Sequence, residues 1–330
     1  MRTQILGLAM ALAVVACAPA GTPVAPTTTT VERQTLTLAY SDDPSRVALL
    51  WAITNKKVTS PFLDVQASFL PVAQIIPAAN TKQYDAIEAT PLAVPRTAGG
   101  EPGFQIISSG LLNLSGTVLL TGKNSAIKTP ADLKGKTVAV ASLGGTFVQE
   151  TRYVLTKKYG LNTNVTTGEV KFAETPQESV LQLLKDNRLD GAVLTQLVLY
   201  RLKDSPDVRV LSEVTKEVQA LSGRTSVNSI VVTYRDRAQT KGKAIAELQR
   251  MLTESKEYLR KNQAEVVKAI AAEKRVDEAY LTWFFTAYDL AAGPLSAEDK
   301  AQITAAWQAA KDLGDIKDVP KIEEVSFAAP

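Results

Sequence analysis

The sequence predicts an α/β protein of two lobes, and three observations carry that expectation. Short strand-like runs alternate with helical patterns through the first hundred or so residues, the arrangement of a parallel sheet covered by helices. From Gly116 the alternation begins again with stronger turn punctuation. After Thr233 the chain becomes helical in period, which implies a return over the first lobe and a hinge of two crossing segments.

Residues 36–40 alternate as a strand and stop at Ser41-Asp42-Asp43-Pro44. Asp43 as N-cap with Pro44 at the first helical position starts a helix there, with Val47, Leu50 and Trp51 on its apolar face. Strands follow at 65–70, 84–89 and 104–108, with a helix starting near Pro71 and a break at Thr90-Pro91. The second series has strands at 116–122 and 137–141, with a short helix between them capped by Thr129, Pro130 and Asp132. A helix over 147–159 ends at Gly160. A strand at 170–173 leads to a capping box Thr175-Pro176-Gln177-Glu178 and a helix to Asn187. A strand at 189–194, a helix through Tyr200 and a strand at 208–211 complete this lobe, and 228–233 is again a strand. Helices are expected at 242–262, 263–272, 277–291 and 297–312, the last with Ser296 as N-cap and Asp299 at N3.

The N-terminus has its own organisation. Arg2 precedes an apolar run over 5–16, the layout of a signal peptide over 1–16. The run is shorter than the roughly 20 apolar residues a permanent span needs. Val14-Val15-Ala16-Cys17 resembles the lipobox of bacterial lipoproteins, in which the cysteine takes a diacylglycerol and becomes the first mature residue. Cys17 is the only cysteine, so no internal disulfide is open to it and lipid attachment is its expected role. The following APAGTPVAPTTTT cannot bury apolar surface, and 17–34 is expected to be a lipidated, disordered tether.

Composition removes several function classes. The 37 basic and 34 acidic residues give a net charge of +3 with no concentrated basic block, so no nucleic-acid partner is implied. Histidine is absent, which removes Ser-His and Cys-His nucleophiles and His-ligated metal sites. Carboxylate or lysine catalysis stays open but has lost most of its usual partners, and no cofactor, metal site or enzymatic activity is expected.

Residues 118–140, VLLTGKNSAIKTPADLKGKTVAV, resemble the interdomain segment of periplasmic solute-binding proteins of ABC importers. They are most similar to the nitrate, sulfonate, taurine and thiamine-precursor-binding group. Tyr84-Asp85-Ala86-Ile87 and Arg188-Leu189-Asp190-Gly191-Ala192 fit that family in order. The resemblance covers 35–327. It implies a type II-like periplasmic binding protein with two Rossmann-like lobes on a two-segment hinge. The first lobe would be 35–123 plus 223–330 and the second 124–222. It further implies a small-molecule ligand (a sulfonate, a nitrate-like anion or a thiamine-type precursor), closure of the lobes on it, and an importer permease and ATPase as partners. With the lipid anchor, the protein would sit at the outer face of the cell membrane. Two alternatives use the same lobes: a ligand-sensing accessory of a membrane receptor, and an enzyme like the thiamine-pyrimidine synthases, against which the missing histidine argues.

In open α/β sheets ligands bind outside the carboxyl ends of the strands. That rule selects Ser142, Gly144, Gly145 and Thr146, where glycines admit a ligand to backbone N–H groups at a helix N-terminus. The resemblance places an anion-contacting turn at the same point. An ordinary strand-to-helix turn, with Thr146 as cap and Gln149 at N3, is the alternative there. Ser41 and Asp42, Thr90, Asn113, Thr195 and Gln196, and Asn228 are expected to face the same cleft. Asp42 would suit an amine or ring N–H. Arg224 could clamp an acid bidentately or face solvent at the hinge. Tyr40 and Phe147 are placed to stack on a flat ligand. Trp51, Trp283, Phe284, Phe285 and Trp307 read as core.

Overall fold

The computed structural model describes residues 33–97 and 100–330. The signal peptide at 1–16, Cys17 and almost all of the tether lie outside the described residues, and Gln34, expected in the tether, opens the first strand. Among the described residues no helix is long and apolar enough to cross a membrane.

In chain order the first elements are β1 (Gln34–Ser41), α1 (Pro44–Thr54), β2 (Leu63–Leu70), α2 (Val72–Asn80), β3 (Ala86–Ala89), α3 (Ala93–Arg96) and β4 (Phe104–Asn113). The second series comprises β5 (Leu119–Gly122), β6 (Thr137–Val140), α4 (Thr146–Lys157), β7 (Lys171–Glu174), α5 (Val180–Lys185), β8 (Gly191–Val193), α6 (Gln196–Leu202), β9 (Val208–Ser212) and α7 (Val214–Ser222). The chain returns as β10 (Ser226–Tyr234), α8 (Arg235–Thr240), α9 (Gly242–Lys261), α10 (Gln263–Lys274), α11 (Glu278–Ala287), β11 (Tyr288–Leu290) and α12 (Ala297–Asp312).

Two sheets form. The first has the order β11-β4-β10-β3-β1-β2 and the second β7-β6-β8-β5-β9. β1, β2 and β3 run parallel, as do β6, β7 and β8. Each sheet also holds an antiparallel strand where the chain changes lobe. β10 enters between β3 and β4 antiparallel to both, and β5 pairs antiparallel with β8 and β9. The mainly parallel expectation therefore meets mixed sheets, because each crossing strand enters its sheet from the far lobe. β5 belongs to the second sheet, although the expected boundary at 123 assigns it to the first lobe. The crossings run through 114–118 and 223–225.

Residue alternation explains the layering. On β1, Leu36, Leu38 and Tyr40 meet α1, α9, α10 and α11, whereas Ala39 faces α2 and α12, the period of two that strands impose. Each fully buried Leu or Val is worth roughly 1.5–3 kcal/mol over exposure. The second sheet is covered by α4 and α7 on one face and by α5 and α6 on the other. Trp51, Phe284 and Trp307 are core, as expected, and Trp283 bridges the cores of the two sheets.

Several local expectations changed. Residues 288–290 continue the helical period but form β11, paired with Asn113, Leu112 and Leu111. The Thr175 capping box does not form: Pro176 takes the cap position of a short 3-10 turn, and the Thr175 hydroxyl donates back to the Ala173 carbonyl at 3.1 Å. The boxes at Thr129 and Ser296 do form.

Candidate functional site in the interlobe cleft

The carboxyl ends of β1, β6 and β8 run into the N-termini of α1, α4 and α6, and the segment after β6 reaches the first lobe at Asn228 and Arg96, which sets the cleft between them.

On the first lobe the side chains satisfy one another. Asp43 caps α1, accepting from the Ser45 amide at 2.9 Å and from the Ser45 hydroxyl. Arg46, one turn in, is buried. Its Nε donates to Glu88 Oε1 at 2.9 Å, Nη1 to the Ser45 hydroxyl at 3.1 Å, and Nη2 to Asn228 Oδ1 at 3.1 Å. Glu88 also accepts from the Ser41 amide and hydroxyl at 3.1 and 2.8 Å. Burial alone would raise the Glu88 carboxyl, but the Arg46 charge and the bonds from Ser41 outweigh it and hold it below the usual range. Arg46 is raised despite burial, by the Glu88 and Asp43 charges.

On the second lobe the arrangement is open. Gly145, not Thr146, is the N-cap of α4, and it offers no side-chain bond. The amides of Gly144, Thr146 and Phe147 find no acceptor among the described residues. The two residues expected to cap instead reach the first lobe. Thr146 Oγ1 donates to the Asn228 carbonyl at 2.8 Å, and Gln149 Nε2 to the Ala306 carbonyl of α12 at 2.7 Å. A Cβ added at Gly144 would lie 3.8 Å from Arg96 Nη1 and 3.9 Å from Ile76 Cδ1. The exposed Arg96 therefore faces the α4 N-terminus from across the cleft. Thr195 caps α6 with its side chain unused, and its amide donates to Gln177 Oε1 at 3.1 Å.

Ser41, Thr146 and Asn228 are thus brought together through Arg46 and Glu88, with Thr90 half-buried at the end of β3 and Gln196 buried at the start of α6. Asp42 is turned away: it pairs with Lys274 of α10 at 2.6 Å. Asn113 is committed to the hinge. Its Nδ2 donates to Thr117 Oγ1 at 2.7 Å and to Glu150 at 3.0 Å, and its Oδ1 accepts from the Gly116 amide at 2.7 Å. Ser226 donates to the same Glu150. No cation pairs with Glu150 among the described residues. Burial pushes its carboxyl up against the hydrogen bonds from Ser226, Thr117 and Asn113. Arg224 takes the hinge role and pairs with Glu298 at 3.1 Å. Tyr40 lies in the core instead of on the cleft surface, and Phe147 packs on the core of the second lobe.

Arg46, Glu88, Arg96 and Glu150 escape a sequence reading because each sits inside a helix or strand pattern. A buried charge at the start of α1 was the one available signal. On the other flank of α4, Gln149, Glu150, Arg224 and Gln302 line a cavity of ≈ 40 Å³, room for a water or two.

A family model described as "ABC transporter, phosphonate, periplasmic substrate-binding protein" matches residues 72–276, more than half of the chain. The chain belongs to this family. It is a periplasmic substrate-binding component of an ABC transporter, and the family is one of exported proteins. No curated protein sequence matches it. Solved structures share the fold at low identity. The alkanesulfonate-binding protein SsuA from Xanthomonas axonopodis pv. citri, bound to MOPS, is 17% identical with a TM-score of 0.71, covering 89% of this chain and 98% of that one. The aliphatic sulphonate binding protein SsuA from Escherichia coli is 16% identical with a TM-score of 0.69, covering 90% and 92%. A Candida albicans protein with the generic periplasmic binding protein fold is 13% identical with a TM-score of 0.68, covering 89% and 96%.

Proposed function

We propose that this family member captures a small organic oxyanion, a sulfonate or phosphonate, between its lobes and delivers it to the importer without chemical change. The observation that carries this is the α4 N-terminus. Three amides without acceptors stand at the positive end of a 12-residue helix, with the Arg96 guanidinium opposite. Helix N-termini of this kind favour anions, and a guanidinium matches a tetrahedral acid. The proposed contacts are Gly144, Gly145, Thr146 and Arg96, with Ser142, Ser41, Thr90, Thr195, Gln196 and Asn228 around them. Ligand that touches both lobes stabilises the closed form in proportion to its extra affinity for it. The fold neighbours that bind sulfonates, and the family's phosphonate description, support the choice of acid. Catalysis is set aside because no histidine is present, Glu88 is held by Arg46, and Glu150 is engaged by Asn113 and Ser226 at the hinge.

Thermal shift and calorimetry with ethanesulfonate, methylphosphonate and nitrate test the proposal. At a hundredfold excess over Kd, ligand should stabilise the protein by about 2.7 kcal/mol. Gly144→Leu, which projects into the gap toward Arg96 and Ile76, should abolish that shift and leave the unliganded melting temperature in place. An equal shift in the variant would remove the turn from the site. The anchor is part of the same proposal: Cys17→Ser should release the protein from membranes, and retention would refute acylation at Cys17.

A further inference from the structure

Two buried hydroxyls beside the α1 N-terminus have no acceptor for their protons. Tyr280 of α11 and Tyr288 of β11 are 0% and 1% exposed, and neither phenolic O–H reaches an acceptor among the described residues. Unpaired polar groups this deep are rare in native proteins and call for a specific explanation. Their surroundings place them on the cleft side. Asp43 and Arg46 of α1 are charged neighbours of both. The Tyr280 ring meets Tyr200 of α6, from the second lobe, at 5.5 Å. Tyr288 stacks on Phe284 at 4.7 Å, and its hydroxyl lies against Gly116 in the first crossing, where an added Cβ would come within 2.1 Å of it. From the second lobe the Gln196 amide is placed to donate to that phenolic oxygen, and the Glu150 carboxyl lies nearby, which leaves the O–H itself to be used.

The geometry points to a second ligand subsite at Tyr280 and Tyr288, one that donates hydrogen bonds to an oxygen acceptor at the far end of the bound acid. The inference rests on the proposed binding of an organic oxyanion at the α4 turn. It also reverses the polarity expected from the sequence. The acid expected to await a donor, Asp42, is occupied by Lys274, and Asp43 is taken by the Ser45 amide and hydroxyl in its expected role as cap. What is left unfilled is a pair of donors. Burial pushes both phenols well above their ordinary range, with the Asp43 and Glu150 charges adding to it, so they remain O–H donors at any physiological pH. The ligand class is therefore an acid with a second oxygen function, such as a sulfo- or phosphono-carboxylate or a hydroxyalkyl sulfonate, in preference to a simple alkyl acid.

Calorimetry on the full chain with sulfoacetate, ethanesulfonate and taurine tests this, using the wild type, Tyr280→Phe and Tyr288→Phe. The wild type should bind sulfoacetate at least about tenfold more tightly than ethanesulfonate, the usual worth of hydrogen bonds to a charged group. Each Phe variant should shrink that ratio, while its affinity for ethanesulfonate and its unliganded melting temperature stay at wild-type values. A wild type without the preference, or variants that both keep it, would overturn the subsite and return the hydroxyls to buried water. A preference for taurine that the variants lose would make the phenols acceptors and overturn the stated polarity. Failure of all three acids to bind the wild type would instead sink the oxyanion proposal itself, and this inference with it.

Discussion

Two helices aim their N-termini at the same cleft, and they are finished in opposite ways. α1 is closed by its own carboxylate: Asp43 takes the first free amide, Pro44 has none to offer, and Arg46 is locked between Glu88 and Asn228. α4 is closed by a glycine and leaves its amides bare. The two buried carboxyls nearby differ in the same sense. Glu88 has a cation and stays ionised, whereas Glu150 has only neutral donors and is pushed toward protonation. The contrast separates architecture from recognition. A terminus that satisfies itself holds a lobe together, and one that does not is available to a ligand.

Substitutions at α1 should accordingly damage the fold, and substitutions opposite α4 should damage binding. The largest effect is expected from Arg46→Ala, which strands Glu88 in the interior without its cation. Such losses cost about 3–5 kcal/mol, and chemical denaturation should show it. A loss below 1 kcal/mol would mean that α1 is not the structural terminus described. Arg96→Ala comes next. It should weaken sulfonate or phosphonate binding by roughly ten- to hundredfold, the worth of a charged hydrogen bond, with the melting temperature unmoved. A change in stability without a change in affinity would reverse its assignment. Asp43→Ala removes one cap and should cost about 1 kcal/mol, measurable in the denaturation midpoint.

The smallest effect is a change of slope with pH. Glu88, held low, contributes stability that is present above the ordinary carboxylate range and is lost as pH falls through its folded value. Glu150, held high, does the reverse: its contribution is full below the ordinary range and fades as pH rises through its folded value. Glu150→Gln keeps the neutral form at every pH. The melting temperature of the variant relative to wild type should therefore climb from pH 4.5 to pH 8, and a constant difference would contradict the assignment.

The legible and illegible parts divide along the same line as local and non-local chemistry. Asp43-Pro44, Thr129-Pro130 and Ser296 with Asp299 were readable because a cap and the amide it binds lie within three residues. The Gly144-Gly145 turn was readable as a place, but its cap was not. Thr146 is drawn away by a carbonyl 82 residues distant, and nothing near it in the chain announces that. Glu88 and Arg46 are 42 residues apart, each inside an apolar pattern that hides it. β11 was missed because its three residues continue a helical period and only pairing with β4 makes them a strand. Tyr280 and Tyr288 carry aromatic rings that suit a core. Only the missing acceptors for their hydroxyls distinguish them, and those are invisible until the lobes are assembled.

One feature of α4 sets how such a protein can move. Its far side is riveted to α12 by Lys157–Asp312 at 2.7 Å and by Gln149 on the Ala306 carbonyl, and to the turn after α12 by the buried Arg152–Asp315 pair at 2.7 Å. A swing of the lobes that spares these contacts would have to pivot close to α4. Points close to a pivot turn nearly in place, so the bare amides at the tip of α4 would hardly travel while α6 and its aromatic neighbours sweep the widest arc. Ligand could then settle on a nearly stationary anchor point and be enclosed from one side, as a gate closes on a post that never leaves the ground.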